Sequence, residues 1–200
     1  MIISFEKASS KHKEEIFIWL EEPHVKEFWD NSQEYKDDIL NFMTGRKDPS
    51  HDCNSLYTYW VGFASSESGC DMPYCLIMTL QEKEGYDMPV LKKDHISSTG
   101  TTYSIDYMIG DKNYFGNGLG AKTLEVFIGF FREQYDQSAD TFFIDRDVTN
   151  PRAKHVYEKA GFQYVGGFCY GRRWGFCWSK NSFFSETVAF YAQDHPRNNC

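Results

Sequence analysis

Three glycines stand at alternate positions in Gly116-Asn117-Gly118-Leu119-Gly120, between a stretch that reads as a strand and one that reads as a helix. Without side chains there, backbone N–H groups can approach an anion closely. The helix start adds unpaired donors and the positive end of its dipole. The turn therefore suits a pyrophosphate, and it is equally compatible with a plain strand-to-helix connection. No Gly-Lys-Ser/Thr follows, so it is not a P-loop, and an antiparallel hairpin upstream does not fit a dinucleotide fingerprint.

Asp106 lies in a strand otherwise built of Tyr, Ile, Met and Ser. A buried carboxylate is costly unless paired. It reads either as a group that meets a cation and takes its proton, or as a structural Asp bonded to backbone or to an Arg. Asp145 is expected to end a neighbouring strand, where it faces a substrate or caps a loop. Tyr157 falls on the buried face of a later helix, where a hydroxyl is usually satisfied within the core. Phe28 and Trp29 are adjacent aromatics in a polar connection, either walling a pocket or packing on the sheet.

These residues need elements to hold them. Residues 2–7 read as a strand, 11–21 as a helix capped by Ser9 or Ser10 and stopped by Pro23, and 33–43 as a second helix ended by Gly45. Residues 56–64 and 74–81 form a hairpin by pattern, with the turn at 65–73. Residues 82–100 are polar and read as a long loop. In strand 102–109, Tyr103, Ile105, Tyr107 and Ile109 point one way, and Ser104, Asp106 and Met108 the other. Helix 119–134 buries a stripe of Leu119, Thr123, Val126, Phe127 and Phe130. After strand 140–145, Asn150-Pro151 starts a helix that Gly161 closes, with His155 on its exposed side. Strands at 163–170 and 173–179 follow. One domain is expected over residues 1–180, with an apolar-containing extension at 181–200 that packs on it or trails from it.

The chain has 200 residues, 21 basic and 29 acidic, for a net charge of −8. That excludes a general nucleic-acid binder, which needs a basic face, and it suits a cationic partner. Thirty-five of the residues are Phe, Tyr or Trp (17 + 13 + 5), enough for a packed interior and an aromatic-walled pocket. The six cysteines form no Cys-x-x-Cys pair and the six histidines show no metal spacing, so no metal is expected. The start is no signal peptide and no apolar stretch approaches a membrane span. A soluble, cytoplasmic monomer or homodimer is expected, with no membrane or nucleic-acid partner.

Residues 150–162, NPRAKHVYEKAGF, resemble the distal motif of the GNAT N-acetyltransferases, and the glycine-rich turn lies at the family's distance upstream. Together the resemblances cover residues 101–168. The stretches IDYMIGDKNYFGNGLGAKTLEVF, IDRDVTNPRAKHVYEKAGF and IFIWLEEPHVKEFWD look most like the aminoglycoside 6′-N-acetyltransferases. The resemblance implies a mixed α/β, mostly antiparallel sheet, flanked by helices and splayed between strands 102–109 and 140–145. It implies acetyl-CoA as cofactor, its pantetheine arm in the gap, and transfer of the acetyl group to a small-molecule cationic amine. Met108, Ile109, Phe115, Gly116, Asn117, Gly118, Leu119, Gly120, Ala121, Asn150, Ala153 and Tyr157 would bind the cofactor, with a backbone N–H near Met108 on the thioester oxygen. Asp106 would anchor the amine and accept its proton, Tyr157 would protonate the leaving thiolate, and Phe28, Trp29, Asp106 and Asp145 would meet the acceptor. Phe115 stands where many of these enzymes carry Gln or Arg. The loop 82–100 matches the resistance enzymes poorly, which leaves open a siderophore-type or polyamine acceptor, a protein lysine or N-terminus, or a catalytically silent acyl-CoA-binding module.

Overall fold

A computed structural model describes residues 1–46, 56–65, 71–82, 90–116, 118–170 and 173–181. Asn117, residues 66–70 of the hairpin turn, residues 83–89 of the long loop and residues 182–200 of the C-terminal extension lie outside the described residues.

Seven strands form one sheet: β1 (Ile2–Lys7), β2 (Thr58–Ser65), β3 (Asp71–Glu82), β4 (Thr101–Ile109), β5 (Ala139–Asp147), β6 (Gln163–Tyr170) and β7 (Arg173–Asn181). Their order is β1-β2-β3-β4-β5-β7-β6, and every neighbouring pair is antiparallel except β4 with β5. The parallel pairing runs only from Thr101↔Ala139 to Ile105↔Ile144. Along its other edge β4 stays paired with β3 to Cys75↔Ile109. The C-terminal halves of β4 and β5 therefore part, which is the expected splay.

Both faces of the sheet are covered, so β2 and β3 read as near-continuous apolar runs. One face carries α5 (Leu119–Gln134) and α6 (Pro151–Lys159), packed through Phe127, Phe131 and Tyr157 onto Ile105, Phe142, Ile144 and Trp178 of the sheet. The other carries α1 (Lys13–Glu21), α2 (Pro23–Lys26) and α3 (Gln33–Met43), which bury Ile16, Trp19, Leu20, Tyr35 and Ile39 against Tyr59, Leu76 and Met108. Burying each such side chain contributes roughly 1.5–3 kcal/mol, so these helices are held by their apolar faces rather than by propensity. Gly110 lets α1 approach, since a Cβ there would stand 2.1 Å from the Trp19 ring. That contact sets α1 and α2 against the splayed end of β4.

Some expectations shift. Pro23 does not merely end α1. It is the first residue of α2, where a missing N–H costs nothing, so residues 24–26 are helical rather than loop. The α5 stripe is turned slightly: Leu124, Ile128 and Phe131 are buried with Leu119, Thr123 and Phe127, while Val126 and Phe130 are half-buried. The long loop contains one helical turn, α4 (Val90–Lys93). Strand β5 continues past Asp145 to Asp147 because β7 pairs with it that far, so Asp145 is not its end. Among the described residues no helix is long and apolar enough to cross a membrane, and no group of three or more His, Cys, Asp or Glu is placed to hold a metal ion.

Candidate active site

The glycine turn adopts the backbone its sequence permits. Gly116 has φ +82° and Gly118 φ +70°, in the left-handed region where a Cβ is strained. Gly118 is the N-cap of α5 and offers no side chain to the helix end. The N–H groups of Gly120 and Ala121 fall in the first turn, where no intrahelical acceptor exists, and both residues border a cleft. The Leu119 N–H is instead taken by the Gly116 carbonyl at 3.3 Å, and the Leu119 side chain is buried in the core. Leu119 is thus a packing residue and not a wall of the cleft, contrary to the sequence expectation. Asn117 lies outside the described residues.

Opposite the turn, α6 begins as its sequence dictates. The Asn150 side chain accepts the Ala153 N–H at 3.1 Å, and Pro151 occupies the first helical position. The cleft between them has a volume of about 830 Å³. It brings together Phe28, Trp29, Met108, Ile109, Phe115, Gly116, Gly118, Gly120, Ala121, Asn150, Ala153 and Tyr157. It also gathers residues that the sequence reading did not assign to the site. Arg152, His155 and Lys159 line the α6 side, and an added Cβ on Gly118 would stand 3.0 Å from Lys159 Nζ. Their spacing of three and four residues placed them on one helical face, a signal legible in the sequence. His24 lines the α2 side, donating from Nε2 to the Ile109 carbonyl at 2.9 Å with its ring edge against Phe115.

The ladder phase of β4 decides which backbone groups face the split. Gly110 donates to the Tyr74 carbonyl at 2.8 Å. Hydrogen-bonded and non-hydrogen-bonded pairs alternate in an antiparallel ladder, so Met108 is bonded to Leu76 on β3. The Met108 N–H therefore points away from the split. Its neighbours Tyr107 and Ile109 present their N–H groups to it, and these are the candidates for the donor expected near Met108.

Asp106 and Asp145 do not line the 830 Å³ cleft; they lie deeper at the split, on the α1–α3 face of the sheet. Asp106 is half-buried, and no hydrogen bond or ion pair joins it to another described residue. Burial and the nearby Asp145, offset in part by Lys92, push its carboxyl up to about 6. Asp145 Oδ2 is 2.7 Å from Lys92 Nζ, while its Oδ1 is buried without a hydrogen-bond partner among the described residues. The Tyr157 hydroxyl donates to the Asp145 backbone carbonyl at 3.3 Å. Burial, together with the Asp106 and Asp145 charges, holds that phenol far above its ordinary range, so it stays protonated. The buried thiol of Cys75 is pushed up to about 12 by desolvation, and that of Cys177 is also raised by burial and by Asp145. Neither suits a nucleophile, because the thiolate is the reactive form.

No protein-family model matches the chain. Solved structures do. An aminoglycoside N(6′)-acetyltransferase from Legionella pneumophila aligns with a TM-score of 0.68 and 19% identity, covering 90% of this chain and 92% of that one. The aminoglycoside acetyltransferase AAC(6′)-Ib, in complex with coenzyme A and kanamycin, aligns with a TM-score of 0.66 and 17% identity, covering 90% and 95%. A ribosomal-protein-S5-alanine acetyltransferase from Vibrio fischeri aligns at 0.61 and 14%, covering 90% and 93%. The likeness spans nearly the whole of each chain and shows that the fold is that of the GNAT acetyltransferases.

Proposed function

We propose that the chain is an acyl-CoA-dependent N-acetyltransferase acting on the primary amine of a small cationic acceptor, foremost the 6′-amino group of an aminoglycoside. The observation that carries this reading is the split between β4 and β5. It joins a positive-φ glycine turn on one side to Asp106 and Tyr157 on the other. The solved structures with the same fold support it, since they are named acetyltransferases and one holds coenzyme A with kanamycin.

The residues present fit the cofactor. Gly116 and Gly118 form with the first-turn N–H groups of α5 a cradle that a side chain at Gly118 would strain and crowd. Arg152, His155 and Lys159 face that cradle from α6, so phosphate oxygens would meet both backbone donors and cations. Asn150 serves by capping α6, which aims Ala153 and Tyr157 at the cleft. When bound, acetyl-CoA supplies an acetyl thioester. Ligand at about 100 times its dissociation constant is expected to stabilise the fold by roughly 2.7 kcal/mol. Gly118→Val is expected to abolish that thermal shift, because valine does not tolerate the left-handed backbone and its side chain crowds the cradle. An undiminished shift in the variant would remove the turn from the cofactor site.

At pH 7 a primary amine arrives as ammonium. Asp106 pairs with it and takes one proton, and a carboxyl near 6 is a better base than an ordinary one while still mostly ionised. The amine then forms an N–C bond as the C–S bond breaks. The N–H groups of Tyr107 and Ile109 donate to the carbonyl oxygen as it gains charge. Tyr157 gives its hydroxyl proton to the leaving sulfur, and the second proton lost by the nitrogen restores it through solvent. Phe28 and Trp29 wall the acceptor side.

The test is a panel of aminoglycosides, polyamines, hydroxylated lysine and a peptide N-terminus, each incubated with acetyl-CoA and read by mass spectrometry. Acetylation of a primary amine on a small cation is the expected result. Acetylation of the peptide alone would shift the acceptor to protein. Cofactor binding with no acetylated amine would overturn the reading in favour of a silent acyl-CoA-binding module.

A further inference from the structure

Arg146 follows Asp145 on β5 and, by alternation, points to the opposite face of the sheet, the one that carries α6. Its guanidinium lies over two aromatic rings of β7, 4.8 Å from the centre of Phe176 and 5.2 Å from that of Trp178. Nη1 donates to the carbonyls of Asp147 at 2.8 Å, Val148 at 2.9 Å and Asn150 at 3.3 Å. One side chain thus gathers the connection from β5 into α6. Two features go beyond bracing. A cation at a helix start opposes the helix dipole, so the stability of α6 does not call for one there. The Nε–H is buried without a hydrogen-bond partner, and among the described residues no carboxylate pairs with the guanidinium.

Tyr157 stands beside it. Its ring meets the same Trp178 edge-on at 5.7 Å, and its hydroxyl donates to the carbonyl of Asp145, the residue before Arg146. The charges acting on that phenol are Asp106 and Asp145, which hold its proton on, and Arg146, which alone pulls the other way.

We propose that Arg146 is a positioning residue for proton transfer to sulfur: it fixes the β5–α6 connection and sets a positive charge behind Tyr157, against which negative charge forms on the phenol and the departing thiolate. The inference rests on the transferase reading. In that step the C–S electron pair goes to sulfur, the Tyr157 O–H proton follows it, and the phenolate left behind is neutralised by a proton released from the acetylated nitrogen. Thiolate and phenolate are both anions, which Asp106 and Asp145 disfavour and a nearby cation favours. The titratable groups around this point are Asp106 and Tyr107 of β4, Asp145 and Asp147 of β5, Tyr157 and Glu158 of α6 and Tyr164 of β6, and Arg146 is the cation among them.

Arg146→Gln keeps a donor for the carbonyls and removes the charge, whereas Arg146→Lys keeps the charge. The full chain is saturated with CoA carrying carbon-13 at the carbon bonded to sulfur, whose chemical shift follows ionisation of the thiol. In Arg146→Gln the bound thiol should ionise at a pH about one unit above wild type, because its thiolate has lost a neighbouring cation. Arg146→Lys should stay close to wild type. Arg146→Met should repeat the Gln result, and it replaces Gln where the amide variant folds poorly. On an acetylated amine, Arg146→Gln should lose roughly tenfold in kcat with the KM for acetyl-CoA nearly unchanged. A thiol titration unmoved in both neutral variants would reduce Arg146 to a brace for the connection and overturn the proposal. Equal shifts in the Lys and Gln variants would overturn it too, since geometry rather than charge would then be acting. The titration needs CoA binding and no acetyl transfer. The expected shifts without acetylation of any amine would sink the transferase reading alone, and an active transferase without the shifts would sink the role of Arg146 alone. A wild type that binds no CoA would overturn both.

Discussion

Asp106→Asn is expected to lower turnover by about 10² or more and to weaken acceptor binding, while making the fold more stable. The three effects have one cause. The amide keeps the shape of the side chain and one carbonyl oxygen but carries no charge for the ammonium and accepts no proton. In the wild type the carboxyl is raised from 3.8 to about 6, so its charge costs folding free energy. That shift corresponds to on the order of 2 kcal/mol for a half-buried group. The sign follows from linkage. Above pH 6 Asp106 is ionised in both folded and unfolded chains, and the full cost is present. As pH falls from 6 to 3.8 the folded carboxyl is neutral while the unfolded one still ionises, and the cost fades. Below about 3.8 both are neutral and the cost is gone. The melting temperature of the variant should therefore exceed that of the wild type at pH 7–8 and match it near pH 4. Wild-type kcat/KM should show an acid limb near pH 6 that the variant lacks. A variant that melts well below the wild type yet keeps its turnover would make Asp106 structural.

Tyr157→Phe is expected to cost turnover on the order of 10² with little change in acetyl-CoA affinity. The ring is buried against Phe162 and Trp178, and phenylalanine preserves those contacts. Only the hydroxyl is lost, and with it the bond to the Asp145 carbonyl, a stability loss of about 1 kcal/mol. That carbonyl is free to accept because β5 has left β4 beyond Ile144. The splay therefore both opens the cleft and aims the phenol into it. Single-turnover kinetics with saturating acetyl-CoA separate the acid role from binding. Equal rates in the two proteins would mean that solvent protonates the leaving sulfur.

Periodicity carried much of this architecture into the sequence. The alternation of Tyr103, Ile105, Tyr107 and Ile109 against Ser104, Asp106 and Met108 foretells a strand buried on both sides, and Asn150-Pro151 and Gly161 bracket α6 as observed. What stayed hidden lies in relations between distant elements. Which N–H groups of β4 face the split depends on the phase of its ladder with β3, and side-chain alternation does not record that phase, so the sequence reading reached only a donor near Met108 and the ladder singles out Tyr107 and Ile109. Lys92 sits in a polar loop without a pattern, and only the folded chain brings it to Asp145. Leu119 carried two compatible signals, a motif position and a core position, and packing took it. His155 is on the exposed side of α6 as expected, yet that side is also the rim of the cleft with Arg152 and Lys159.

The central claim is direct transfer from acetyl-CoA to an amine at this split, without a covalent acyl-enzyme; among the described residues Cys75 and Cys177 are buried thiols held protonated. Release of free thiol from acetyl-CoA, followed as both acetyl-CoA and an aminoglycoside are varied, measures it most directly. The account predicts no thiol without amine, steady release with amine, and intersecting reciprocal plots from a ternary complex. A stoichiometric burst of thiol in the absence of amine, or no amine-dependent release from any acceptor, would contradict it.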